Sequence, residues 1–98
     1  MNILIKNVPD TSDLEPPYPY KTWIEYWESK KGAIPIFMKY NCPAIGCTEE
    51  CYRSDFDGCH VQKVADITKK MYIIPLCSRC NHRNDYFFVD ENLLVPAP

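Results

Sequence analysis

A nearly continuous run of apolar residues occupies positions 71–77, and polar residues follow it directly. A short apolar run with polar boundaries is typical of a buried strand. Positions 60–64 precede it, and positions 65–70 provide a turn, so the returning strand at 71–74 pairs back on the first. The pattern therefore predicts a β-hairpin, which we take as the centre of the fold.

The first eight positions place apolar residues at Ile3, Ile5 and Val8, which fits a short strand. No basic run precedes these residues, and Lys6 interrupts them after three apolar positions. This pattern is neither a signal peptide nor a membrane span. We therefore expect a cytoplasmic protein with no membrane partner. The proline-rich positions 9–20 predict an extended linker over the surface, with a polyproline ligand as the alternative.

A helix is predicted from Thr22 to about Lys31. Thr22 is a suitable N-cap, Glu25 stands in capping-box register, and Gly32 can end the helix. One face of this helix carries an aromatic stripe with one lysine: Trp23, Tyr26, Trp27 and Lys30. A stripe at this spacing predicts core packing, with stacking on nucleic-acid bases as the alternative.

The other apolar and polar segments give simpler predictions. Positions 33–40 are apolar, but Pro35 limits them to an edge strand or a loop. Positions 49–57 are polar and predict a loop with one helical turn. Positions 81–85 are expected to continue a helix that starts after the hairpin. Apolar residues at 86–89 and 93–95 are expected to seal the core.

Two cysteines, Cys77 and Cys80, stand three positions apart where the predicted strand meets the start of a helix. This spacing puts both thiolates on one side of a single metal ion and supplies half of a zinc site. The amides at the helix start favour the deprotonated sulfurs.

A second pair, Cys42 and Cys47, offers the other two ligands of a tetrahedral site. Pro43 can open the turn between them, and Gly46 permits a tight backbone before Cys47. The pairing of Cys-x4-Cys with Cys-x2-Cys predicts one zinc ion on four cysteines. Disulfides or buried thiols are the alternative reading of the same residues.

The chain has six cysteines, and a reducing compartment favours metal binding over three disulfides. Cys51 follows Cys47 by four positions and is an alternative zinc ligand. Cys59 alternates with its neighbours on the predicted strand and is expected to be an inert thiol. A second metal site on Cys51, Cys59 and His60 is a further alternative.

The order of these motifs resembles a known family. The turn at residues 42–47, which we call the knuckle, precedes Gly58-Cys59-His60-Val61, and Pro-Leu-Cys-x-x-Cys-Asn follows at positions 75–81. This order is similar to that of the treble-clef zinc fingers of the HNH endonuclease superfamily. The resemblance covers roughly residues 42–90. It implies a ββα finger with a structural zinc ion and with His60 as general base.

Three positions depart from the family pattern. Cys59 stands where many members have an acidic residue or a histidine that binds the catalytic metal, and a thiol suits magnesium poorly. Tyr72 stands near the position of the central asparagine. Asp85 replaces a histidine on the helix. The resemblance then implies catalytic Mg²⁺ or Mn²⁺ held partly by Asp85.

Charge limits the binding partners. The formal net charge is −2, and four thiolates with one Zn²⁺ add about −2. The chain therefore has no global attraction for nucleic acid, and any contact must be local. Cations cluster near the hairpin and the second helix, and they are expected either to hold a phosphate backbone or to form a solvated surface: Lys63, Lys69, Lys70, Arg79 and Arg83. His82 is expected to be a surface residue, with metal binding as the alternative.

With 98 residues the chain suffices for one domain with a modest core, for which a metal staple is expected. We predict a single α+β domain with a treble-clef centre at 42–90, a covering segment at 1–41 that includes the aromatic helix, and a tail at 91–98. The predicted function is an HNH-like protein that binds or hydrolyses nucleic acid through His60 and Asp85, with contacts from Lys63, Lys69, Arg79 and Arg83. The alternative is an inactive zinc module that acts as a protein-binding adaptor or inhibitor.

Overall fold

A computed structural model describes all residues, 1–98, and shows a small α+β domain. The strands are β1 (Asn2–Asn7), β2 (Lys39–Asn41), β3 (Glu50–Tyr52), β4 (Phe56–Lys63), β5 (Met71–Cys77), β6 (Phe87–Asp90) and β7 (Val95–Pro96). A five-stranded antiparallel sheet has the strand order β6-β1-β4-β5-β7, and β2 and β3 form a separate two-stranded ribbon. The helices are α1 (Trp23–Lys31) and α2 (Ser78–Asn81). No helix has the length and apolar character that crossing a membrane requires.

The predicted hairpin is confirmed and lies at the centre of the large sheet. Strands β4 and β5 pair antiparallel, with His60 opposite Ile73 and Phe56 opposite Cys77. The first arm is longer than expected, because it begins at Phe56, inside the segment predicted as a loop. Ile73 and Leu76 are fully buried. The apolar run at 71–77 is therefore a strand covered on both faces, as its composition indicates.

Strand β1 confirms the N-terminal prediction, and Ile5 is fully buried within it. This strand lies between β4 and β6, with Ile5 opposite Phe87 on one side and opposite Lys63 on the other. Phe87 and Val89 of β6 are buried, so the C-terminal apolar residues seal the core as expected. They do so as strands, which the apolar pattern did not specify.

Helix α1 begins and ends where its capping residues predict. The Thr22 hydroxyl accepts a hydrogen bond from the Glu25 N–H, and Gly32 follows the last turn with φ of 110°. Tyr26 and Trp27 are buried, and they donate hydrogen bonds to the carbonyls of Pro96 at 3.0 Å and Leu93 at 2.8 Å. These two rings belong to the core, which leaves neither available for stacking on bases.

Gly58 lets α1 lie directly against β4. A Cβ atom at this position would be 2.5 Å from the Trp23 Cβ and 2.9 Å from the backbone nitrogen of Ile24. Contacts this short with backbone atoms cannot be relieved by a change of side-chain rotamer. Close packing of α1 on β4 therefore requires glycine at this position.

We expect Gly58→Ala to destabilise the domain by roughly 3 kcal/mol, because α1 must move away from the sheet. Gly32→Ala is the matched control, because its Cβ would meet nothing within 4 Å and only the positive φ is strained. That strain costs about 1 to 3 kcal/mol, because φ of 110° with ψ of 152° is a backbone conformation adopted almost only by glycine. Urea unfolding of the two zinc-saturated variants measures both losses. A loss of less than about 1 kcal/mol for Gly58→Ala would contradict the close packing of α1 on β4.

Two segments differ from their predictions. Helix α2 ends at Asn81 and does not continue through 81–85. The Arg79 and Cys80 carbonyls accept hydrogen bonds from the His82 and Arg83 N–H groups. The Asn7 side-chain amide also donates to the Cys80 carbonyl at 2.9 Å and to the Arg83 carbonyl, beyond the helix, at 3.0 Å. In the predicted loop at 49–57, residues Glu50–Tyr52 form strand β3, in which only Cys51 is buried. The helical turn expected in that segment is present at Arg53–Asp55.

Candidate metal centre

Four cysteine side chains converge at the base of the hairpin. The sulfur atoms of Cys42, Cys47, Cys77 and Cys80 all lie within 4.8 Å of one another. Three of these residues are buried, and Cys47 is partly exposed. The two predicted pairs therefore meet in space, and the cluster can hold a metal ion.

The spacing of the sulfurs fits a tetrahedral metal better than a disulfide. All six cysteines are free, and the Sγ atoms of Cys47 and Cys77 are 3.9 Å apart. A disulfide requires about 2.05 Å. Zinc–sulfur bonds of about 2.3 Å in a tetrahedron place the sulfurs about 3.8 Å apart. Four thiols at this spacing suit Zn²⁺, a cation for which sulfur is a preferred ligand.

Backbone amides support the sulfurs. The N–H of Cys77 donates to the Cys42 Sγ, and the N–H of Cys80 donates to the Cys77 Sγ, both at 3.5 Å. In the knuckle, Gly46 has φ of 90° and the Cys47 N–H donates to the Ala44 carbonyl at 3.0 Å. The positive φ that Gly46 supplies brings Cys47 back towards Cys42. Local turn chemistry thus orients both pairs of thiols.

The electrostatics of the cluster call for a cation. Burial raises the pKa of the Cys42 thiol to about 11, despite a hydrogen bond from the Cys77 N–H, and burial also raises the pKa of Cys80. Burial acts in the same direction on Cys47, but hydrogen bonds from the Glu49 N–H and the Arg79 guanidinium lower its pKa to about 7. A metal ion supplies the positive charge that stabilises the buried thiolates and releases their protons.

The two remaining cysteines lie outside the cluster. Cys51 is buried in β3, and Cys59 is buried in β4, where its thiol donates to the Asp57 carbonyl at 3.3 Å. The four-cysteine cluster is the one group of three or more potential ligands in the structure. Cys51, Cys59 and His60 are therefore not brought together. The prediction that Cys59 is a buried, inert thiol agrees with its raised pKa, which is due to burial.

His60 lies away from the metal centre, on the face of the hairpin that carries α1. Its side chain is 6% exposed, and the Trp23 ring packs edge-on against it with centroids 4.6 Å apart. Burial lowers the pKa of His60, which favours the neutral form of the ring. It borders a groove of about 380 Å³ that is also lined by Thr11, Asn81 and His82.

Two acidic residues near this face have partners. Asp85 accepts hydrogen bonds from the Nε and Nη2 atoms of Arg83 at 2.8 and 2.6 Å, and it does not line the groove beside His60. Asp57 accepts a hydrogen bond from the Asn81 amide at 3.1 Å. Asp10 does line this groove. The structure thus places one carboxylate in the groove, but it brings no group of three metal-binding side chains together beside His60.

The candidate phosphate-binding cations are distributed and mostly paired. Lys63 contacts Glu91 at 2.8 Å, and Arg83 contacts Asp85 at 2.6 Å. Arg79 lies 3.9 Å from Glu49 and also donates to the Cys47 sulfur at 3.6 Å. Lys69 is exposed on the turn of the hairpin, with φ of 58°. His82 is exposed as predicted, and its Nδ1 lies 2.6 Å from the Ser78 carbonyl oxygen.

The sequence did not predict the role of Asn7, whose side-chain amide donates hydrogen bonds to carbonyls near the C-terminal end of α2. A single asparagine in a strand carries no local signal for a contact with residues 73 and 76 positions further along the chain.

Comparisons with protein-family models, with curated proteins and with solved structures found no match to this chain. The fold and the four-cysteine cluster therefore define the class of the protein, which is a small α+β domain with a candidate metal site. The resemblance to the HNH superfamily remains a prediction.

Proposed function

We propose that this chain is a zinc-binding module of the treble-clef type that binds a partner and does not hydrolyse nucleic acid. The order of its parts supports this proposal. A knuckle carries Cys42 and Cys47, the hairpin β4–β5 follows, and Cys77 and Cys80 lie at the start of α2. A zinc ion on these residues would join the knuckle to the hairpin and would stabilise the fold.

The environment of His60 carries the argument against catalysis. A metal-dependent hydrolase needs a second metal ion beside its general base, held by carboxylates or imidazoles. Here Asp85 is paired with Arg83, and Asp57 is bonded to Asn81. Asp10 lines the groove beside His60, but no group of three metal-binding side chains meets there. The Trp23 ring also covers one side of the imidazole. His60 is better explained as a packing residue beneath α1.

A second candidate function is metal-dependent phosphodiester hydrolysis of the HNH type. One observation favours it, because the His60 ring borders an open groove, where an unprotonated imidazole could act as general base. In this candidate, Asp85 would leave Arg83 to bind Mg²⁺ or Mn²⁺. Lys63, Lys69, Arg79 and Arg83 would contact phosphate, which requires three of them to leave the partners described above.

One experiment separates the two functions. Zinc-loaded wild-type protein and His60→Ala are incubated with single-stranded DNA, duplex DNA and RNA, each with Mg²⁺ or Mn²⁺. We expect no cleavage by either protein. Loss of a general base commonly removes a factor of about 10² to 10⁴ in rate, so a true activity would be obvious. Cleavage by the wild type that His60→Ala abolishes, with unchanged zinc content, would contradict the proposed module.

A further inference from the structure

One segment has a charge opposite to that of the whole chain. Residues 29–48 contain three lysines, Lys30, Lys31 and Lys39, and no aspartate or glutamate. The formal net charge of the chain is −2, so the remaining residues are acidic on balance. The lysine side chains of this segment therefore provide local positive charge in an otherwise acidic chain.

The same segment exposes three consecutive apolar side chains. Ile36 is 74% exposed, Phe37 is 78% exposed and Met38 is 48% exposed. We call these three residues the apolar loop. They precede β2, and Lys39 follows them directly. Single exposed apolar residues are ordinary, but a contiguous group marks an interaction surface.

A concave apolar groove lies beside the apolar loop. It has a volume of about 290 Å³, and its walls include Trp27, Ile34, Phe56 and Leu93. The groove lining includes residues on both sides of the apolar loop in the sequence, at positions 31–35 and 40–41. Lys31 is the one charged residue in the lining. A groove of this kind suits an apolar side chain with a negative charge next to it.

We propose that the apolar loop and this groove bind an acidic segment of a partner protein. An aliphatic or aromatic side chain of the partner occupies the groove. Carboxylates on either side of it face Lys31 and Lys39, and the apolar loop packs against the same segment. This inference rests on the proposed role of the chain as a binding module, and it names the surface and the chemistry of the partner.

The positive charge of Lys31 and Lys39 and the concave shape of the groove together favour an acidic polypeptide segment over the other possible occupants. In a twofold dimer formed through this surface, the lysines of the two copies would face each other, which is unfavourable. An anionic membrane would satisfy the lysines and the apolar loop, but it presents no side chain for the groove. An acidic polypeptide with an apolar anchor satisfies all three features.

The test begins with selection from a displayed library of random peptides on zinc-loaded protein. We expect the selected peptides to carry Leu, Phe or Trp with Asp or Glu on both sides. In ¹⁵N-labelled protein, a selected peptide should shift the amides of residues 31–41 and the indole of Trp27. It should leave the amides of Cys77 and Cys80 unchanged.

Matched variants locate the binding energy. Lys31→Glu with Lys39→Glu should weaken binding of the selected peptide about ten-fold or more, and Phe37→Ser should weaken it by a similar factor. Lys69→Glu makes the same type of charge change on the hairpin turn and should alter affinity less than about two-fold. All these side chains are exposed or line an open groove, so zinc content should remain that of the wild type in every variant.

Several results would overturn the inference. These are selection of basic or neutral peptides, no selection of any peptide, or affinity that Lys31→Glu with Lys39→Glu leaves unchanged. Co-sedimentation with phosphatidylserine vesicles that Phe37→Ser abolishes would replace the polypeptide by a membrane surface. Dimerisation that Phe37→Ser abolishes would replace it by a second copy. A selected peptide that shifts residues elsewhere would refute this surface but not the binding module, whereas His60-dependent cleavage would refute the module itself.

Discussion

Replacing Cys80 by serine is expected to abolish metal binding and to eliminate the cooperative unfolding transition. Cys80 is buried in the four-cysteine cluster, and its backbone N–H supports the Cys77 sulfur. Structural zinc contributes about 10 to 16 kcal/mol in small sites, and a whole domain has about 5 to 15 kcal/mol of stability. Loss of the metal therefore removes enough free energy to unfold the chain. Elemental analysis and thermal unfolding by circular dichroism measure both effects, and Cys77→Ser should behave in the same way.

Cys51→Ser and Cys59→Ser are the matched controls for the metal centre. Both residues are buried cysteines outside the cluster, so both variants should retain one zinc ion per chain. Carefully purified wild-type protein without zinc would refute the metal centre. Loss of zinc from either control would mean that the ligand set differs from Cys42, Cys47, Cys77 and Cys80.

Trp27→Ala is expected to destabilise the domain by roughly 3–5 kcal/mol, the range found when a large aromatic is removed from a core. Trp27 is buried with Tyr26, Ile73 and Val95, and its indole N–H donates to the Leu93 carbonyl at 2.8 Å. The substitution removes this packing and leaves the carbonyl without its donor. Urea unfolding of zinc-saturated protein gives the free energy of unfolding.

Trp23→Ala provides the comparison on the same helix. Trp23 is only half-buried, although its indole N–H donates to the Leu14 carbonyl at 3.1 Å. Its loss should cost about 2 kcal/mol, less than the loss of Trp27. If Trp27→Ala left stability unchanged and lowered affinity for nucleic acid, the helix would be a stacking surface and the core assignment would be wrong.

Local signals predicted the parts of this fold that depend on neighbours in sequence. Thr22, Glu25 and Gly32 fixed the ends of α1 because capping uses residues within one turn. The apolar run into Cys77 predicted β5, and the spacing of Cys77 and Cys80 predicted that both sulfurs face one point. Each of these inferences used residues that lie close together in the chain.

Features set by distant residues were not predictable in this way. The carbonyl of Cys80, near the end of α2, accepts a hydrogen bond from the Asn7 amide. The packing of α1 on β4 depends on the close contact between Gly58 and Trp23. Both contacts exist only after the sheet has formed. The pairing of Lys63 with Glu91 is also non-local. Sequence patterns located the charged residues but not their partners.

The position of β1 has a consequence for the order in which the chain folds during synthesis. β1 pairs with β4 and with β6, and Asn2 lies opposite Asp90. The ribosome therefore synthesises β1 long before it synthesises β6, the edge strand that pairs with β1. All four clustered cysteines have been made once Cys80 is reached, so a metal ion can be captured while β6 is still unmade. Closure of the sheet is then the slower, non-local step. It brings β1 and β6 together around a hairpin that a captured metal ion would already have joined to the knuckle.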